Sequence, residues 1–116
     1  MPERSMLVLV GPDALAGEQT LHTVDGVRFG VFRCPPDDWR WSRTNPVGVE
    51  HYLCFPRRRV VIEPADGPEV VTTPAHLVVY DAGGSFRRRA LDPVGDWCTF
   101  VAVDPTLCEG PRGRRG

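Results

Sequence analysis

An all-β sandwich or barrel is the architecture this sequence predicts, on three observations. Short runs rich in Val, Leu, Phe, Tyr and Trp recur along the chain. Gly, Pro, Asp and Asn sit between them, and no stretch before residue 104 carries a convincing helical period. Twelve Gly and twelve Pro in 116 residues suit a fold of many turns and short elements. The length allows one domain with one core.

Taken in order, the first apolar run is "MLVLV", read as a strand at Leu7–Val10. It is too short to span a membrane and lacks the layout of a secretory signal. The following "GPDALAGEQ" reads as a short turn of helix. Strands follow near Val27–Arg33, Val49–Phe55, Arg58–Glu63, Glu69–Thr72, Leu77–Tyr80, Phe86–Ala90 and Trp97–Val103. The separators "VDG", "ADGP" and "DAGG" are turn chemistry, because Asp tolerates unusual backbone angles and Gly supplies positive φ. At Asp104 the signal changes: an N-cap Asp followed by Pro105 starts a helix. Gly110 and Pro111 stop it, so residues 1–104 form the predicted domain, and 105–116 a stunted helix and a disordered basic tail.

Charge is close to balanced, with 14 basic residues against 15 acidic, a net −1. That disfavours a surface built to hold duplex DNA by its phosphates. All the basic residues are arginine, and nine cluster in Arg57–Arg59, Arg87–Arg89 and the tail. Cys34, Cys54, Cys98 and Cys108 include no C-x-x-C, so a zinc site is weakly supported. Free thiols in a cytoplasmic protein are expected.

Strand alternation sorts the arginines. Across "PRRRVVIEP", Arg58 shares a face with Val60 and Ile62, while Arg57, Arg59, Val61 and Glu63 form the more polar, solvent-facing set. Arg59 and Glu63 are expected to lie near each other, and Arg58 toward the mouth of the barrel. Across "SFRRRAL", Arg88 shares the face of Phe86. If Phe86 points into the core, so does Arg88, and an inward guanidinium needs an internal carboxylate, a place at the mouth or an anionic ligand. Solvated outer-strand charge is the default for all six; Arg58 and Arg88 are the candidates for anion binding. Trp39, Trp41, Tyr80 and Trp97 are aromatic candidates for lining a pocket, core packing being the default for Trp97. His51 precedes an aromatic residue in a strand and reads first as a half-buried structural histidine.

From Gly30 to Leu107 the pieces "GVFRCPPDDWRW", "VEHYLCFPRRRVVIEP", "EVVTTPAHLVVYDAGGSFRRR" and "LDPVGDWCTFVAVDP" stand in an order and spacing that resemble the N-terminal, cupin-like domain of AraC-type transcription regulators. The resemblance implies a cupin-like β-barrel of the jelly-roll type that senses a small-molecule effector, possible in anionic form, or mediates homodimerisation. It also implies a following helix-turn-helix half, which is absent from these 116 residues, so no direct DNA binding and no membrane contact are expected. Metal-binding cupins carry an H-x-H pair and a later P-x-G-x-x-H. Here His22, His51 and His76 are isolated. On "DAGGSF" the second pattern keeps Gly83 but puts Phe86 where the ligand histidine would stand. No catalytic residues, metal or cofactor are therefore expected. The ligand-binding candidates are Arg58, Arg88, His51, Tyr80, Trp41 and Trp97. The rival readings are a small stand-alone cupin enzyme or small-molecule-binding protein, and nucleic-acid contact through the arginine clusters.

Overall fold

The computed structural model describes residues 16–109, which form a sandwich of two antiparallel sheets. The strands are β1 Gly17–Val24, β2 Val27–Cys34, β3 Asn45–Pro46, β4 His51–Pro56, β5 Val60–Pro64, β6 Val70–Thr72, β7 Val78–Tyr80, β8 Ser85–Ala90 and β9 Asp96–Val103. The larger sheet runs β1-β2-β9-β4-β7 and the smaller β3-β8-β5-β6. This is an all-β, cupin-like jelly roll. The predicted strand at 7–10 and the basic tail at 110–116 lie outside the described residues.

One expectation needs correction here. The turn of helix drawn through "GPDALAGEQ" gives way, from Gly17 onward, to β1. Its polar residues pair with β2 across a two-residue turn at Asp25 and Gly26. Both turn residues have positive φ, 45° and 83°, as a primed hairpin turn requires. "TNPVG" contains a two-residue strand, β3, too short to leave a periodic signal. Trp39 and Trp41 lie on no strand: residues Trp39–Ser42 form a 3-10 turn capped by the Asp38 side chain, which accepts from Arg40 N–H. At the other end Asp104 accepts from Thr106 N–H, and Pro105–Cys108 complete a single 3-10 turn.

The core lies between the sheets. In β9, "DWCTFVAV", alternation is strict: Asp96, Cys98, Phe100 and Ala102 are buried, and the intervening residues are half-buried on the outer side. Opposite them stand Val60, Ile62 and Phe86 of the smaller sheet, with Trp41, Val47 and Tyr80 packed against that cluster. In β5 the expected polar outer face begins only at Glu63, since Val61 is as buried as its neighbours. Val61 sits in register between Val71 and Arg89, whose side chains flank it on the same face.

Gly30 of β2 faces Phe100 across the β2–β9 pair. A Cβ there would lie 2.7 Å from the Phe100 ring and would collide with the Gln19 carbonyl oxygen. The missing side chain is what lets the ring approach the strand while β1 pairs closely alongside.

Candidate ligand-binding site

The inner faces do not close completely. Between them is a cavity of about 380 Å³, near the lower end of the range typical of small-molecule sites. Phe32, Phe86, Phe100 and Tyr80 supply apolar wall, and Arg88 and Asp96 supply charge.

Arg88 points inward, as its parity with Phe86 predicted, and is 8% exposed. Its Nε donates to Asn45 Oδ1 at 3.0 Å and its Nη1 to Asp96 Oδ2 at 2.9 Å. The guanidinium stacks 4.8 Å from the Phe32 ring centre and 5.1 Å from that of Phe86. The internal carboxylate that an inward arginine needs is thus Asp96, eight residues on, delivered to the same face by the alternation of β9. Burial pushes the Asp96 carboxyl above its usual range, and the Arg88 charge and hydrogen bonds pull it back down. Asn45, from the two-residue strand, has its own amide fixed by the Arg40 and Arg43 carbonyls, at 3.0 and 2.7 Å, so its oxygen is held toward Arg88. A guanidinium has five N–H donors. Nη2 of Arg88 has no protein acceptor among the described residues.

A polar cluster borders the cavity. Arg28 donates from Nη2 to Glu50 at 2.7 Å and to the Tyr52 hydroxyl at 3.0 Å, and from Nη1 to Thr20 at 2.6 Å. Tyr52 in turn donates to Glu18 at 2.7 Å. Glu18 and Tyr52 line the cavity, and the Arg28 guanidinium lies 5.5 Å from the Phe100 ring centre. Burial and the neighbouring Glu18 push the Tyr52 phenol above its ordinary pKa; burial alone leads the rise at Tyr80. Both phenols are therefore neutral donors at physiological pH.

Of the six candidates named from sequence, Arg88 and Tyr80 line the cavity and the other four do not. Trp41 packs behind it, its indole N–H donating to the Pro35 carbonyl at 2.6 Å. Trp97 follows the opposite parity from Cys98 and Phe100, so it faces away from the core that was its expected place. Arg58 lies in the bend before β5 and does not line the cavity. It stacks 5.1 Å from the Trp97 ring centre and stands 3.7 Å from Asp92. His51 accepts the Ala82 N–H on Nδ1 at 2.9 Å and so ties down the β7–β8 turn. The predicted approach of Arg59 and Glu63 is replaced by a 4.0 Å pair between Glu63 and Arg89.

Sequence reasoning missed Asp96, Asn45, Phe32, Tyr52 and Phe100. The alternation "DxCxFxA" was a usable signal for Asp96, since it places the aspartate on the face of Phe100. Among the described residues no three His, Cys, Asp or Glu side chains group as metal ligands would. None of their helices is long and apolar enough to cross a membrane.

No protein-family model matches this chain, and no curated protein matches it. Among solved structures it is similar to the crystal structure of protein NMB1881 from Neisseria meningitidis, with a TM-score of 0.56 and 15% identity, covering 74% of this chain and 82% of that one. It is also similar to a chain from the crystal structures of the DMSP lyases RdDddP and RnDddQII, with a TM-score of 0.54 and 14% identity, covering 90% of this chain. The match spans 49% of that lyase chain. At such identities the likeness is one of fold, and it agrees with a cupin-like jelly roll.

Proposed function

We propose that this chain is a non-enzymatic sensor and dimerisation domain related to AraC-type regulators, and that its effector is a small organic carboxylate held between the sheets. The observation that carries the reading is Arg88. It is a buried, doubly anchored guanidinium in the wall of an aromatic-lined cavity, with Nη2 left for a ligand oxygen. Asp96 neutralises the arginine when the cavity holds no anion, and the aromatic walls suit a flat apolar ligand body. Tyr80 is the second polar group that such a carboxylate would meet.

A second copy of the chain is the partner this reading assigns to the outer face of the larger sheet. Phe29, Phe55 and Val79 all face outward there and are at least 43% exposed, with Leu53 and Val101 between them in register. Contiguous apolar surface of this kind marks an interaction site.

Calorimetric titration with a panel of aromatic and aliphatic carboxylates tests the site. Saturable binding that weakens at least tenfold in Arg88→Lys supports it; equal affinities in the two proteins remove Arg88 from the site. The rival reading, a small cupin enzyme, draws on the fold likeness to a DMSP lyase chain. Stoichiometric divalent metal accompanied by turnover would establish it instead.

A further inference from the structure

The cavity wall holds a second chemistry that the carboxylate reading does not use. Cys54 of β4 and Cys98 of β9 both line it, and both are free thiols. In the β4–β9 register Cys54 stands opposite Phe100, and Cys98 stands opposite Pro56. The two cysteines are therefore diagonal neighbours on one face of adjacent strands. Their side chains share the cavity wall from neighbouring strands.

Diagonal cross-strand neighbours have Cα atoms about 7–8 Å apart, beyond the about 4.4–6.8 Å that a relaxed disulfide spans. One atom bridging the two sulfurs relieves that constraint, since two thiolate–metal bonds of about 2.3 Å reach up to about 4.6 Å. We infer that Cys54 and Cys98 form a dithiol site in the inter-sheet cavity for a soft, thiophilic centre such as a trivalent arsenical or monovalent copper.

The surroundings select for softness. Phe100 and Pro56 stand opposite the two cysteines, and a further buried cysteine, Cys34, lies beyond Phe32 on β2. Two sulfurs among aromatic walls favour a large, polarisable ion that accepts two ligands over a hard cation that demands oxygens. A thiol must shed its proton to ligate a metal ion, so Cu(I) binding strengthens as pH rises. With an arsenical oxide R–As=O the step balances: two S–H bonds break, two As–S bonds form, and the oxygen leaves as water. With Cu(I), up to two protons are released to solvent.

The test uses the reduced full chain and phenylarsine oxide, with thiols counted by Ellman's reagent in denaturant. The expected result is one arsenical per chain and two thiols protected. Cys54→Ala or Cys98→Ala should each abolish protection at equimolar reagent, while Cys34→Ala and Cys108→Ala retain it. Cys54 is the less buried of the pair, so Cys54→Ala reads the site even if Cys98→Ala does not fold. A parallel titration with Cu(I) against a bathocuproine chelator separates the two ligand sources; tight binding of either through this pair supports the inference. Protection that survives in Cys54→Ala, or none in the wild type by either probe, overturns it. The two readings stay distinct because thiol protection does not draw on carboxylate binding: two protected thiols without carboxylate binding sink only the carboxylate reading, and the converse result sinks only the dithiol site.

Discussion

The molecule carries the same tripeptide, Arg-Arg-Arg, twice within the described residues, and the two copies have opposite fates. Arg57–Arg59 fall in the bend between β4 and β5. Arg57 and Arg58 lean on the outer face of Trp97, with ring-centre distances of 6.0 and 5.1 Å, and Arg58 has a distant partner in Asp92. Arg87–Arg89 lie inside β8, where alternation forces a choice of side. Arg87 and Arg89 stay exposed, bonded to Ser42 and Glu69 at 3.3 and 3.5 Å, while Arg88 is driven into the core. Identical side chains thus become surface charge or cavity wall according to backbone geometry and parity with one aromatic residue.

The largest expected effect separates the triplets outright. Arg88→Met should cost about 3–5 kcal/mol in urea unfolding, because it leaves Asp96 buried without its charge partner. A loss below about 1 kcal/mol would mean that Asp96 finds other compensation. Adding Asp96→Leu to Arg88→Met should recover at least half of the loss, since the orphaned carboxylate then disappears.

The pH dependence of that variant sharpens the comparison. Burial raises the Asp96 carboxyl in the folded state, and Arg88 opposes the rise. A raised folded pKa means that the native protein binds the proton more readily than the unfolded chain does. Its stabilising contribution is complete below the unfolded value of about 3.9 and is lost as pH rises through the folded value. Removing Arg88 pushes the carboxyl higher still. The stability gap between wild type and Arg88→Met should therefore narrow on going from about pH 8 to about pH 4. A gap that widens on acidification would contradict this account of Asp96.

In the first triplet the effects shrink. Arg58→Met should cost about 1 kcal/mol, from a stacked cation and a long, part-exposed ion pair, and should alter Trp97 fluorescence while leaving carboxylate binding intact. Arg59→Ala, at an exposed position, should change stability by less than about 0.5 kcal/mol. If Arg58 proves as costly as Arg88, the contrast between bend and strand fails.

The strand pattern was legible because alternation and turn residues are local signals. Seven predicted strands, from Val27–Arg33 to Trp97–Val103 with Val49–Phe55, Arg58–Glu63, Glu69–Thr72, Leu77–Tyr80 and Phe86–Ala90 between, match observed ones within two residues at each end. The inward turn of Arg88 followed from the same logic. β1 was missed because its residues are largely polar, and its pairing to β2 is decided by a turn and an edge rather than by burial. Asn45 and Tyr52 were missed because their place at the cavity depends on strand order and register, which one sequence does not display. Trp97 shows the opposite failure: its size suggested the core, while its parity, already visible beside Cys98 and Phe100, assigned it to the other side.

Position 30 joins two properties that would otherwise vary independently. The Phe100 ring and the Gln19 carbonyl both occupy space that any side chain at Gly30 would claim. How deep the chamber is and how firmly the outermost strand is attached are therefore one variable rather than two. A lineage that reshaped the chamber for a smaller guest by adding a methyl group at Gly30 would also loosen β1 from its neighbour. Changes of guest size then fall more freely on the opposite wall, around Phe86 of the smaller sheet.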